Sequence, residues 1–219
     1  MVVKEPKFEE IQARDTQVID DIKDVWLRDA TSVLDIGPND GTTNTSSRHG
    51  EWFKRMDAEG KYLGIEATDF KEQKLNNILM GMDILDIDLV DEFFDCVLCI
   101  SVLEHIEIEK WEAVFEKIRD CLMPGGSLII AVPYKQRLKD YAMRFPPPVG
   151  HTVFDITQVT FLPFTKGLLL VDMSIEVSNT FDGDGASFIW ASLRWLKRWL
   201  TRHPYRKSGK TIMLYYHKE

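Results

Sequence analysis

Apolar positions in this chain keep two different rhythms. Phe8, Ile11, Val18, Ile19, Ile22, Val25 and Trp26 recur near helical spacing, which predicts an amphipathic helix over residues 9–28. Short apolar runs follow, and residues 31–36, 62–66, 79–83, 93–101 and 127–132 read as strands. The run from Phe93 to Ser101 is apolar on both sides, the mark of a central strand covered on both faces. Between the runs, residues 42–56 read as a helix, and Asp69 reads as the N-cap of another. Residues 109–122 carry Trp111, Val114, Phe115, Ile118 and Leu122 on one helical face, then stop at Met123-Pro124-Gly125-Gly126. Alternating β and α with short joints predicts a doubly wound parallel sheet with right-handed crossovers. Beyond it, residues 155–164 and 186–200 read as helices, and 168–177 and 211–217 as strands. The stretch 133–150, with Pro146-Pro147-Pro148, is too long for a plain connector and reads as a lid or substrate wall.

Composition narrows the class. A chain of 219 residues, 44% hydrophobic and 28% charged, suits one domain over residues 1–219. Residues 1–10 are charged, unlike a secretory signal, and the longest apolar runs are too short to cross a bilayer. Three cysteines make no disulfide framework, so a reducing compartment, the cytoplasm, is expected. Cys96 and Cys99 form a C-x-x-C, but on a strand they point to opposite faces and read as packing thiols. From Gly185 to Lys210 there are seven Lys/Arg and no acid; since the whole chain carries −8, the remainder carries −15. So acidic a body argues against broad nucleic-acid binding.

The strand ends carry the candidate chemistry, because ligands of such sheets bind beyond the carboxyl ends of the strands. Asp35 closes the first strand. Gly37 and Gly41 bracket a turn, Gly37-Pro38-Asn39-Asp40-Gly41, that brings bare backbone near a ligand. Glu66 closes the second strand, where a carboxylate accepts two hydrogen bonds from a ribose diol. Asp83 follows the third strand, Ser101 the fourth. A dinucleotide fingerprint needs a further glycine and a helix start open to pyrophosphate, whereas Asp40 repels phosphate. The acids Asp35, Asp40 and Glu66 favour a positively charged cofactor instead.

The segments VLDIGPNDG, YLGIEA, MDI, FDCVLCISVLEHI and LMPGGSLIIAVP together resemble the class I S-adenosylmethionine-dependent methyltransferases. They cover about residues 30–135 in that family's order and spacing. The resemblance implies a Rossmann-like, seven-stranded, mostly parallel sheet with an antiparallel last strand. It divides the domain into an N-terminal helix (1–29), a cofactor-binding half (30–135) and an acceptor-side half (136–219) carrying the inserted helix. It implies S-adenosyl-L-methionine as cofactor. Asp35, Gly37, Pro38, Asn39 and Gly41 would pack on its methionine part, Glu66 and Ala67 on the ribose, Asp83 and Ile84 on the adenine, and Ser101 on the methionine side. Where the family usually has a middle glycine this chain has Asn39, which tolerates left-handed backbone better than other residues with a side chain.

For the acceptor, His105 leaves the fourth strand toward the pocket, and His151 follows the proline run; both are candidate catalytic residues. Glu104, His105, Glu107 and Glu109 have metal-ligand chemistry, but Glu107 and Glu109 suit a solvated helix start, and no metal is expected. The expected acceptor is a hydroxyl of a small molecule or a saccharide, that is, O-methylation. Trp190, Trp195, Tyr134, Tyr141 and Phe145 offer flat stacking surfaces for a glycan sugar. Residues 188–200 combine three tryptophans with basic residues, the composition of an interfacial membrane helix, a lid or a dimer contact. The alternatives are therefore a membrane-surface enzyme acting on a lipid or quinone-like acceptor, and a binding subunit that keeps the cofactor fold without catalysis.

Overall fold

The computed structural model describes residues 29–134, 166–177 and 210–218, and most of residues 16–27. The elements, in chain order, are β1 (Val33–Ile36), α1 (Thr42–Ser46), α2 (Gly50–Ala58), β2 (Tyr62–Glu66), β3 (Ile78–Met80), β4 (Phe94–Ile100), α3 (Trp111–Cys121), β5 (Leu122–Tyr134), β6 (Leu168–Val177) and β7 (Lys210–Lys218). They form a seven-stranded sheet in the order β3-β2-β1-β4-β5-β7-β6. Strands β1 to β5 pair in parallel, and β7 runs antiparallel to both β5 and β6. The order reverses at β1 and β4, so the turns leaving these two strands flank the switch point at which sheets of this kind bind ligands.

The two-residue period of the strands divides the core. Leu34, Ile36, Val97, Cys99, Leu128, Ile130 and Val132 join Trp111, Val114, Phe115 and Ile118 of α3 on one side. Val33, Cys96, Leu98, Ile129 and Ala131 join Phe53 and Met56 of α2, with Val18, Ile19 and Ile22 of the opening helix, on the other. Cys96 and Cys99 thus lie on opposite faces as free buried thiols. Two acids dock the opening helix: Arg48 donates its backbone N–H to Asp20 (2.7 Å) and its guanidinium to Asp24 (2.8 Å), and His49 Nε2 lies 2.8 Å from Asp24.

Three expectations change. The helix over 42–56 is two helices, because Ser47 turns extended and its hydroxyl donates back to the Asn44 carbonyl (2.7 Å), while Gly50 packs against the Thr45 carbonyl where no Cβ fits. Asp69 caps no helix. Residues 67–77 have only Phe70 and Leu75 as large apolar side chains, too few for a helical face. Their backbone is held by Asp57 of α2, which accepts from Asn76 N (2.8 Å), Asn76 Nδ2 (2.9 Å) and Asn77 N (2.8 Å). Strand β5 starts at Leu122, so Met123-Pro124-Gly125-Gly126 ends α3 but lies within the strand, beside a register shift between Phe94 and Cys96. The expected helices at 155–164 and 186–200 and the proline run lie outside the described residues.

Candidate functional site

The turn after β1 is left-handed at every second residue. Gly37, Asn39 and Gly41 have φ of 73°, 54° and 82°. Asn39 therefore takes the conformation required of it, with the fixed φ of Pro38 between. A side chain on Gly37 would collide with Val102, which follows β4. The β1 and β4 turns are in contact through that missing Cβ.

Glu66 ties this turn to the end of β2. One carboxylate oxygen accepts from Asn39 N (2.9 Å), the other from Thr68 N (2.8 Å). An ionised carboxylate offers about four acceptor positions, so lone pairs remain for a diol. Ala67, next to it, is exposed. Asp40 spends its carboxylate on the first turn of α1, accepting from Thr42 N (2.9 Å) and Thr42 Oγ1 (2.8 Å). Its negative charge stands where a pyrophosphate would need bare N–H groups.

Asp35 is 2% exposed. Its Oδ2 accepts from Asn44 Nδ2 (2.6 Å) and from the Tyr62 hydroxyl (3.0 Å), and Asn44 Nδ2 also donates to Tyr62 (3.1 Å). Burial pushes this carboxyl up to about 7; the two hydrogen bonds oppose the rise, and the charge of Glu66 adds to it. Asn44, Tyr62 and Asp57 escape a motif-based reading. Their signal is a polar residue at an inward helix position and a tyrosine two residues along the neighbouring strand.

Asp83 is exposed and accepts from Leu85 N (3.0 Å), capping the short turn Ile84–Asp86; the Ile84 side chain lies in the core, 3% exposed. Ser101 closes β4 at φ 57°, an unusual conformation for a residue with a side chain, fixed by its N–H on the Ala131 carbonyl (2.7 Å). It re-aims the chain into the turn Leu103–His105, whose Leu103 and Glu104 are buried and whose His105 is exposed. Turns carrying Gly37, Glu66 and Ser101 are thus brought together. His151, Tyr141, Phe145, Trp190 and Trp195 lie outside the described residues. Among the described residues, no group of three or more His, Cys, Asp or Glu converges as a metal site, and no helix is long and apolar enough to cross a membrane.

A model of the methyltransferase domain family matches residues 11–160. An uncharacterised protein of Methanocaldococcus jannaschii is 38% identical over 77 residues, 35% of this chain and 33% of that protein. The chain thus matches about a third of the length of that curated relative. Among solved structures, a SAM-dependent methyltransferase from Archaeoglobus fulgidus is similar at a TM-score of 0.60, with 18% identity over 96% of this chain and 94% of that one. The N-methyltransferase NodS of Bradyrhizobium japonicum, crystallised with S-adenosyl-L-homocysteine, gives 0.55 and 14% identity over 98% and 89%. At these identities the likeness is one of fold.

Proposed function

The chain belongs to the methyltransferase domain family, and on that premise we propose that it methylates a hydroxyl of a small molecule or a saccharide. It is an S-adenosylmethionine-dependent methyltransferase of class I. The observation that carries the site assignment is the Glu66 bridge. A nearly buried carboxylate braces a turn of left-handed backbone and keeps acceptor positions for two vicinal hydroxyls.

In this reading the turn from Gly37 to Gly41 lies against the methionine part, with Asp35 beneath it. Glu66 and Ala67 hold the ribose, Asp83 and Ile84 border the adenine, and Ser101 lines the methionine side. When bound, the cofactor supplies a methyl group already activated by its sulfonium. The protein's share is to align the acceptor, exclude water and take the acceptor's proton. His105, exposed on the turn after β4, is the proposed base, with His151 as a second acceptor-side group. The Ser101 conformation opens the turn that carries His105. The saccharide preference is supported by the aromatic side chains Tyr134, Tyr141, Phe145, Trp190 and Trp195 in the acceptor-side sequence.

Calorimetry with S-adenosylmethionine tests the site. Glu66→Ala is expected to weaken binding by about 1.5–3 kcal/mol, the worth of hydrogen bonds to a charged group. An unchanged affinity would place the ribose elsewhere. Transfer of a labelled methyl group to a panel of sugars and hydroxylated small molecules tests the acceptor. Product with amines alone, or with lipid acceptors alone, would overturn the hydroxyl assignment and leave the cofactor assignment standing.

A further inference from the structure

Asp35 is the last residue but one of β1 and Glu66 the last of the neighbouring β2, and they are 2% and 7% exposed. Among the described residues, no Lys, Arg or His pairs with either. Among the described residues, two carboxylates near the ends of neighbouring strands are thus buried without a counter-charge, and the charge of Glu66 bears on Asp35. Both Glu66 oxygens take backbone N–H groups, while both donors to Asp35 go to Oδ2, and none goes to Oδ1 among the described residues. The other described groups near Asp35 bring no positive charge: Asn44 from α1, Tyr62 from β2 and Cys96 from β4 on its own face, Cys99 of β4 on the opposite face, with Asp57 of α2 behind Tyr62. Burial pushes Tyr62 and both thiols up, so they stay neutral. A buried carboxylate lacking a cation is costly, and it escapes that cost by holding a proton. The carboxyl at about 7 agrees with that geometry.

We propose that Asp35 is the charge selector of the cofactor crevice, protonated in the unliganded protein and ionised when a cationic ligand seats above it. The proposal rests on the reading of this crevice as the S-adenosylmethionine site. Cofactor and demethylated product carry the same amino-acid zwitterion and differ by one positive charge at sulfur. On binding, the Asp35 O–H bond breaks, the proton passes to buffer, and the electron pair stays on the carboxylate. The charged sulfonium gains from that carboxylate, and the neutral thioether does not. Asp35 thereby favours loading of cofactor and release of product.

Titration calorimetry between about pH 6 and pH 8, in buffers of different ionisation heat, reads both affinity and proton release. The ionised fraction rises from about one eleventh to about ten elevenths over that range, so S-adenosylmethionine is expected to bind about tenfold tighter at the upper end. S-adenosylhomocysteine is expected to show a smaller change. Asp35→Asn should bind without pH dependence and lose the preference for the charged ligand. Tyr62→Phe removes one donor to the carboxylate, keeps the charge, and should move the midpoint to higher pH. S-adenosylmethionine binding to the unmodified protein with no proton release and a flat pH profile would overturn the selector alone. An unmoved midpoint in Tyr62→Phe would do the same. Absence of S-adenosylmethionine binding at every pH would instead remove the crevice assignment, and the selector with it.

Discussion

At Gly37 the backbone conformation and the space around it impose separate demands. Its φ of 73° is open to glycine, and its missing Cβ is the contact with Val102. Gly37→Ala is expected to lose about 1–2 kcal/mol from the left-handed backbone alone, and more from the collision. Pairing it with Val102→Ala should restore the collision part and not the backbone part, as urea unfolding of the single and double variants would show. Full restoration would mean that the turn relaxes to a right-handed conformation. Asp35 makes a second demand, one that depends on pH. Its folded value, about 7, exceeds the ordinary 3.8, so the folded chain keeps a proton that the unfolded chain has lost. That contribution to stability is complete below about pH 3.8, falls through the window, and is gone above about 7. The stability difference between the unliganded protein and Asp35→Asn should therefore change by up to about 1.4 kcal/mol per pH unit there, and parallel profiles would refute it. The glycines and the strand-end acids were legible in the sequence, because motif spacing encodes them. The partners Asn44 and Tyr62 were not, since their meaning comes from a contact between elements.

Elements that the sequence pattern placed well are those whose apolar period is strong, such as β4 and α3. Where the period is weak, side-chain acceptors decided the structure instead. Residues 67–77 carry an apparent helix start at Asp69, yet a single acid on α2, Asp57, accepts from the backbone N–H groups of Asn76 and Asn77 at their end. Asp57→Ala is expected to cost about 1.5–3 kcal/mol, because it removes a charged acceptor from two backbone N–H groups and one side-chain amide. It should also weaken cofactor binding, since this segment brings Leu75 beneath Gly41 and donates Lys74 N to the Asp40 carbonyl (2.7 Å). Loss of stability with cofactor affinity intact would separate the segment from the site. The opening helix is held differently. Arg48 is 60% exposed and its ion pairs are worth little, whereas Asp20 is 9% exposed and also accepts a backbone N–H. Of the two, Asp20→Ala is the damaging change, with about 1–2 kcal/mol expected in a urea titration.

Across the molecule, the two layers of the core pack on opposite faces of one sheet, and the turns at one end of its strands carry the candidate site. A ligand that joins the β1, β2 and β4 turns therefore ties together segments brought from 27 and more residues apart, as the Asn39–Glu66 bond already does. Such a ligand binds the folded state alone and raises its stability by mass action. At a hundred times its Kd, S-adenosylmethionine is expected to add about 2.7 kcal/mol, which for a domain of this size is a rise in Tm of roughly 5–11 °C. NAD should give no rise, because Asp40 already holds the first turn of α1 and places a negative charge where its pyrophosphate would have to sit. Differential scanning calorimetry with each ligand measures both, and a rise with NAD but none with S-adenosylmethionine would reverse the assignment of the crevice. Asp40→Asn sharpens the comparison. It keeps a side-chain acceptor for Thr42 N, removes the charge, and puts an amide donor where Thr42 Oγ1 had an acceptor, a contact the hydroxyl keeps by accepting instead, so an NAD-dependent rise that it gains is electrostatic exclusion relieved. A variant still indifferent to NAD would show that the shape of the Gly37–Gly41 turn, rather than its charge, keeps phosphate out.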